Sequence, residues 1–415
     1  MPVPSDIAAK IVDPAAYADG SIYRAYAWLR ANDPIGRIEA PGFDPFRVIT
    51  RHADVLEISR QNALFHNAPQ PILFTQTQIA EARAMNGGSD EPIIKSLVHM
   101  DPPEHMRFRL LTQSWFQPKN LKTLESDIRR IARASVDRML ATGGRCDFVN
   151  EIALHYPLHV IMRILGVPEE DEPLMLKLTQ EMLNAHDEDF SPTAESKPRD
   201  MAAAWQMMTY FNGVTEQRRA HPTDDLATVI ANGHVNGAPI SDLATMGYYF
   251  IVATAGHDTT SSSTGAALWA LADNPTLFQT VKADPALIPA MVEEAVRWMT
   301  PVKHFMRTAT DDAEVGGQRI AKGEWLMLCY ASANRDEAVF EDADAFRLDR
   351  KAAHAAFGYG GHLCLGQFLA RMEMRILFEE LLPRLTSVEL DGEPALTKAL
   401  FVNGPKRLPV RFTAT

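Results

Sequence analysis

The stretch Phe357-Gly358-Tyr359-Gly360-Gly361-His362-Leu363-Cys364-Leu365-Gly366-Gln367-Phe368-Leu369-Ala370-Arg371 constrains the chain more than any other. A glycine-rich loop ends in a cysteine and runs into a helical pattern, Leu369, Met372, Ile376 and Leu377. Glycine permits positive φ and lets backbone approach a flat ligand closely. A cysteine at a helix start meets unpaired N–H groups and the positive end of the helix dipole. Both favour the thiolate, which is the form that ligates a metal. The other cysteines, Cys146 and Cys329, stand far away and make no Cys-x-x-Cys pair, which disfavours structural zinc. One sulfur ligand with no companion Cys or His suits haem, whose macrocycle brings four donors of its own. Taken alone, the loop fits a buried structural cysteine beside a turn equally well.

The remaining residues narrow the class. At 415 residues the length prior is two to three domains, yet no repeat, low-complexity tract or linker marks a boundary, so one domain over 1–415 is expected. Hydrophobic residues at 46% and charged ones at 23% exclude a disordered chain. A net charge of −12 argues against nucleic acid as a partner. The start Met1-Pro2-Val3-Pro4-Ser5-Asp6 lacks the basic and apolar regions of a signal peptide. No apolar run reaches the ~18–20 residues of a membrane helix. With sparse cysteines, a cytoplasmic protein without membrane attachment is expected.

The periodicity is mainly helical, over Met106 to Thr142, Tyr156 to Leu165, Glu170 to Asn184, Ala202 to Arg219 and, longest, Ser241 to Leu271. Asp101-Pro102-Pro103-Glu104 reads as a helix start with Asp101 as cap. Asp273-Asn274-Pro275 should end the longest helix. Strands are expected at Phe46–Thr50, Phe305–Thr310 and Trp325–Tyr330, with short strands and turns from Leu385 to Phe412. The chain therefore reads as mainly α with small peripheral sheets.

Phe357, Gly360, Cys364 and Gly366 fit the pattern F-x-x-G-x-x-x-C-x-G, with His362, Leu369, Ala370 and Arg371 in register. This resembles the haem loop of the cytochrome P450 family of haem-thiolate monooxygenases. Two further motifs stand in the family's order. Glu294-Ala295-Val296-Arg297 puts an acid and a base on one helix face. Such a pair is ordinarily a solvated one, but Met291, Val292 and Trp298 surround it. The resemblance makes it a structural lock closed by a later arginine, for which Arg350 is the candidate. Ala255-Gly256-His257-Asp258-Thr259-Thr260 lies inside the longest helix. Glycine there costs about 1 kcal/mol relative to alanine, and Thr259 can bond back to the Ala255 carbonyl. The resemblance makes this a groove for a diatomic gas, with Ala255 and Gly256 beside the cofactor, Thr259 as hydrogen-bond donor and Asp258 as proton relay. His257 is expected to bond a neighbouring helix.

The resemblance implies a single-domain triangular prism with haem b (iron protoporphyrin IX) between the long central helix and the cysteine-loop helix. Cys364 is then the proximal ligand, and Phe357, Gly360 and Gly366 shape its loop. His105, Arg109, Arg307 and His362 bind the propionates. Ala333-Asn334-Arg335-Asp336 resembles a family turn, with Glu337 where proline is common. The nearest look is to the bacterial terpineol-hydroxylating group, carried by Tyr156-Pro157-Leu158-His159-Val160, Leu174 to Gln180 and Ala255 to Ser263. By family position, Phe250, Ile251, Thr254, Lys303, Phe305, Phe401 and Val402 line a substrate pocket, and Ile72, Leu73 and Phe74 form a lid. Lys303 is expected either in solvent or facing a polar group of the substrate. The implied reaction is hydroxylation of a small hydrophobic molecule, monoterpenoid or alkyl or aryl hydrocarbon, by O2. No G-x-G-x-x-G follows a strand. Two electrons should therefore reach a monomer from NAD(P)H through a separate reductase and a 2Fe–2S ferredoxin. An acidic ferredoxin would dock on Arg107, Lys119, Lys122, Arg129, Arg130, Arg371 and Arg375. A gas sensor and a peroxygenase both leave the Asp258-Thr259 pair without a purpose. A hydrolase would need Cys364 to face His362.

Overall fold

The helical periodicities become helices in a computed structural model, which describes residues 3–92, 94–183, 187 and 196–415. Pro118–Ala141 buries Leu121, Ile128, Ile131, Val136 and Met139 at helical spacing. That face lies along the helix Gln367–Leu381, which buries Leu369, Ile376, Leu377 and Leu381. Asp258–Asp273 packs chiefly on Ile288–Met299, also touches His155–Leu165 and Gln367–Leu381, and is buried on nearly every side. Its small residues make this feasible: at Gly265 an added Cβ would stand 3.3 Å from Pro405. One core joins these helices through Tyr156, Ile161, Leu268, Met291 and Leu377. Each such side chain contributes about 1.5–3 kcal/mol by burial.

The sheets sit beside this helical body. Five strands run in the order Arg37–Ile38, Phe46–Ile49, Trp325–Cys329, His304–Ala309, Phe65–His66. Trp325–Cys329 pairs parallel to Phe46–Ile49, with Met327 beside Val48, and antiparallel to His304–Ala309, with Met327 opposite Met306. A second sheet orders Leu385–Leu390, Pro409–Ala414 and Arg145–Asp147. Among the described residues no helix is long and apolar enough to cross a membrane.

Three expected elements differ. The stretch from Met106 to Thr142 is two helices, Glu104–Gln113 and Pro118–Ala141, with a short 3-10 turn between. Pro118 pushes Gln117 into extended backbone, φ −80° and ψ 147°, and then occupies the first helical turn. Asp101 is not a helix cap, because Glu104–Gln113 starts without a side-chain cap. Its carboxylate instead accepts from the N–H groups of Asn67 and Ala68, at 2.8 and 2.9 Å. The longest helix is interrupted at Gly256-His257, leaving Asp242–Ala255 and Asp258–Asp273. It does end at Asp273, and Asn274 caps the next helix by accepting from Leu277 N.

Candidate metal centre

Cys364 lies between the 3-10 turn Gly360–His362 and the helix Gln367–Leu381. Its N–H donates to the Phe357 carbonyl at 2.8 Å, which closes the loop. Burial pushes the thiol up, while the N–H groups of Gly366 and Gln367 and the charges of Arg109 and Arg371 pull the other way. The helix start thus favours the thiolate, but burial outweighs it until a cation meets the sulfur. Among the described residues no three His, Cys, Asp or Glu side chains converge as metal ligands. A metal held by Cys364 therefore needs a group that brings its own donors.

The glycines divide by function. An added Cβ on Gly366 meets nothing within 4 Å, so that side of the loop is open to a flat ring. Gly360, at φ +68°, is glycine for another reason: its Cβ would stand 2.0 Å from the Ser59 carbonyl oxygen. Phe357 is held by the Arg371 guanidinium, 4.3 Å over its ring, and Arg371 is itself paired to Glu293.

Four donors gather beside the loop, with Asp101 acting on His105. The His105 and His362 rings lie 4.0 Å apart at 32°. Burial, with Arg109 and Arg307 nearby, lowers His105 to about 4 and His362 to about 2. Arg109 Nη2 donates to the Leu363 carbonyl at 2.7 Å. Arg307, 2% exposed, donates to the Met306 carbonyl. Neither arginine has an ion-pair partner among the described residues, and His362 Nε2 is buried without a hydrogen-bond partner. Buried cations without anions are costly. A dianion fits the cluster, and the two propionates of a haem held by Cys364 are such a pair. The His362 ring faces His105, the opposite of what a Cys–His nucleophile pair requires.

The interrupted helix supplies the other wall. Ala255 is exposed although Val252, Ala253 and Thr254 before it and His257 and Asp258 after it are buried. Thr259 Oγ1 donates to the Ala255 carbonyl at 3.2 Å, as the spacing predicts. Gly256 has a packing role: a Cβ there would stand 2.6 Å from Ile161 Cγ1 and 2.6 Å from the Val252 carbonyl oxygen. His257 is fully buried, with Nδ1 at 3.2 Å from the Ala253 carbonyl and Nε2 at 3.1 Å from Thr179 Oγ1. It bonds a neighbouring helix, as expected. Asp258 Oδ1 accepts from Gln180 Nε2 at 2.7 Å and lies 3.3 Å from His257 Nε2. Burial raises the Asp258 carboxyl above its usual range, against the opposing pull of His257 and Gln180.

Glu294, Arg297 and Arg350 meet in one buried network. Arg297 holds both Glu294 oxygens at 2.7 Å and donates to the carbonyls of Asn334 and Ala343. Glu294 Oε1 also accepts from Arg350 Nε at 2.9 Å and Arg347 N at 2.8 Å. Arg350 continues to the carbonyls of Glu341, Asp342 and Ala345. Glu337, where the resemblance leads one to expect proline, accepts from Arg30 Nε and Nη2 along one guanidinium edge, at 3.0 and 2.6 Å.

The expected substrate residues are only partly brought together. Phe305 and Phe401 meet edge to face, with ring centroids 5.3 Å apart. Lys303 N donates to the Phe401 carbonyl. Phe250, Ile251 and Thr254 follow one another on the helix Asp242–Ala255, and Thr254 Oγ1 donates to the Phe250 carbonyl. Lys303 is a correction as to solvent: it is 1% exposed, and Nζ donates to the Met299 carbonyl at 2.7 Å. Leu73 is also a correction, since it packs into a core with Tyr26, Met306 and Met327. Ile72 and Phe74 beside it are half-buried. Val402 lines a small cavity next to Asp258.

Sequence reasoning missed Gln180, Thr179 and His304. Gln180 and Thr179 look like ordinary polar positions of a helix, and 78 residues separate each from its partner. His304, fully buried, takes the Leu73 N–H on Nε2 at 3.3 Å and so ties the expected lid to the strand beside Phe305.

The chain is similar to known proteins in sequence and fold. The family described as Cytochrome P450 matches residues 284–412. The chain is 49% identical over 421 residues to Cytochrome P450-terp of a Pseudomonas species, covering 99% of this chain and 98% of that one. Linalool 8-monooxygenase of Pseudomonas putida is 32% identical, over 96% of this chain and 97% of its own. The crystal structure of CYP108D1 from Novosphingobium aromaticivorans superposes with a TM-score of 0.93 at 46% identity, over 100% of both chains.

Proposed function

Since the chain belongs to the cytochrome P450 family, as a monooxygenase close to the bacterial terpineol group, we propose that it hydroxylates a small monoterpenoid. The observation that carries the reading is the cluster of His105, Arg109, Arg307 and His362 beside Cys364, in which neither arginine has an ion-pair partner among the described residues. The balance is RH + O2 + 2 electrons + 2 protons giving ROH + H2O. Haem, when bound, supplies oxygen activation, and Cys364 is the residue that holds it.

The rest is the work of side chains. His105, Arg109, Arg307 and His362 bind the propionates and orient the ring. Thr259 turns its hydroxyl from the Ala255 carbonyl to donate a hydrogen bond into the groove, and Asp258 passes protons to it. Phe305 and Phe401 exclude water and press the substrate toward that groove. The names of the two relatives, which point to terpenoid chemistry, support a monoterpenoid of similar size. The whole chain is taken as one haem domain. Electrons come from NAD(P)H through a separate reductase and ferredoxin, docking on the face that carries Lys119 and Lys122.

The test is the absorption spectrum of the purified protein, reduced and exposed to carbon monoxide. A Soret band shifted far to the red, as thiolate-ligated haem gives, is expected. Its absence in protein that has taken up haem overturns Cys364 as ligand. Monoterpene alcohols should then shift the ferric spin state at micromolar concentration, and no response to any of them removes the substrate class.

A further inference from the structure

The described residues between Leu73 and Ser96 are fastened at both ends, each time to an element that carries proposed pocket residues. The first fastening is on the strand that carries Phe305. Phe65 and His66 pair with Ala309 and Thr308, and Met306 N then donates to the Pro71 carbonyl at 2.7 Å. Two residues on, Leu73 N donates to a side chain instead, His304 Nε2, at 3.3 Å. A ring nitrogen that accepts carries no proton, so the ring proton is on Nδ1. Nδ1 lies by the Leu400 carbonyl, short of a well-formed hydrogen bond. Burial lowers His304 to about 4, which keeps the ring neutral at neutral pH. The ring also meets Phe401 edge to face, with centroids 5.7 Å apart. The second fastening is on the helix Asp242–Ala255, which carries Phe250 and Ile251. There a Cβ on Gly247 would strike the Lys95 carbonyl, so the backbone at Lys95 lies directly on the helix. Between the two, the helix Gln76–Met85 buries only Ile79, and none of its residues joins a hydrophobic core. Gln76 holds its first turn to Gly42 and Asp44. A segment with so little buried apolar surface opens locally at low cost.

We propose that His304 is a positioning residue that clasps this strap over the pocket, and that the hydrogen bond from Leu73 N to its ring sets how fast molecules enter and leave. The inference rests on the pocket of the proposed function. His304 is fully buried and Leu73 is buried with it. Removing the acceptor leaves the Leu73 N–H unmatched, and the strap regains a partner for it by opening to water. Opening speeds entry and exit alike, because both pass the same barrier. Affinity therefore changes less than either rate.

The experiment uses the haem-loaded protein and phenylimidazole, a haem-iron ligand close to a monoterpenoid in size, as probe. His304→Leu keeps the bulk and removes the acceptor. In it, hydrogen exchange at the Leu73 amide should rise at least tenfold. Association and dissociation rates of the probe, read by stopped flow at the Soret band, should both rise at least threefold, with their ratio within twofold of the parent. His304→Asn, polar but too short to reach Leu73 N, should do the same. His304→Gln, whose carbonyl oxygen reaches Leu73 N, should return both readouts to the parent values. Carbon monoxide spectra and haem content should not change, which separates an opened strap from a misfolded chain. Exchange at Leu73 equal to the parent in the Leu and Asn variants overturns the clasp. Faster exchange with parent-like probe rates overturns its control of entry. A parent protein whose Soret band ignores the probe fails the proposed pocket, while exchange at Leu73 still decides the clasp.

Discussion

A residue's role here depends on what its neighbours leave unsatisfied. His105 and His362 hold depressed pKa values because burial and two arginines oppose their charge. For a histidine lowered in the folded state, the unfolded chain binds protons first as pH falls. The haem-free protein should therefore lose stability as pH drops below 6.5 and keep losing it to about 4 as His105 titrates. Urea midpoints measured across that range check this. Haem propionates oppose the shift, so the loaded protein should show a flatter curve, and identical curves count against the propionate assignment. Thr259→Ala removes the hydroxyl that meets the Ala255 carbonyl. It should leave haem and substrate binding intact while most electrons end in hydrogen peroxide, measured as peroxide per NAD(P)H consumed. Cys364→His should fold yet lose hydroxylation.

Elements are held by contacts that their own sequence does not show. Glu294 receives Arg297, Arg350 and a backbone N–H. Glu294→Gln strands two buried cations and should destabilise the protein by about 3–5 kcal/mol, read as a fall in the denaturation midpoint and in haem content. Arg350→Ala should cost less, because Arg297 still neutralises the acid. Gly256→Ala drives a methyl toward Ile161 and should destabilise by about 1–3 kcal/mol, with Ile161→Ala on the same chain recovering part of the loss. The periodicity made the stretch from Ser241 to Leu271 one helix, since both halves carry apolar residues at helical spacing. The interruption at Gly256-His257 meets partners from two other helices: Ile161 of His155–Leu165 crowds the glycine, and Thr179 of Glu172–Leu183 bonds the histidine. The break before Pro118, by contrast, was within reach of local rules, because proline disfavours helix in the residue before it.

At the scale of the whole molecule, charge is spent within the chain before it meets a partner. Arg129, Arg371 and Arg375, expected to attract an acidic ferredoxin, are paired to Glu379 and Glu380, to Glu293, and to Glu125 and Glu379 respectively. Lys119 and Lys122 stay exposed on the helix Pro118–Ala141. Lys119→Glu and Lys122→Glu should lower kcat/KM for ferredoxin severalfold at low salt, an effect that fades as salt rises. Arg375→Ala should change it little.

The sequence alone determined the cysteine loop, the acid–alcohol pair, the Glu294–Arg297 helix face and the mainly helical class. These depend on residue type at short spacing, and short spacing is read directly from the chain. It also pointed to Arg350 as the closing arginine, although only by resemblance. The tertiary structure decided which cations are free and which are already paired, why Gly256 and Gly360 are glycine, and that Lys303 and Leu73 turn into the core. It alone brought Gln180 to Asp258 across 78 residues. Each of those outcomes depends on burial and on partners distant in sequence, and neither is encoded in the local pattern that a residue and its near neighbours make.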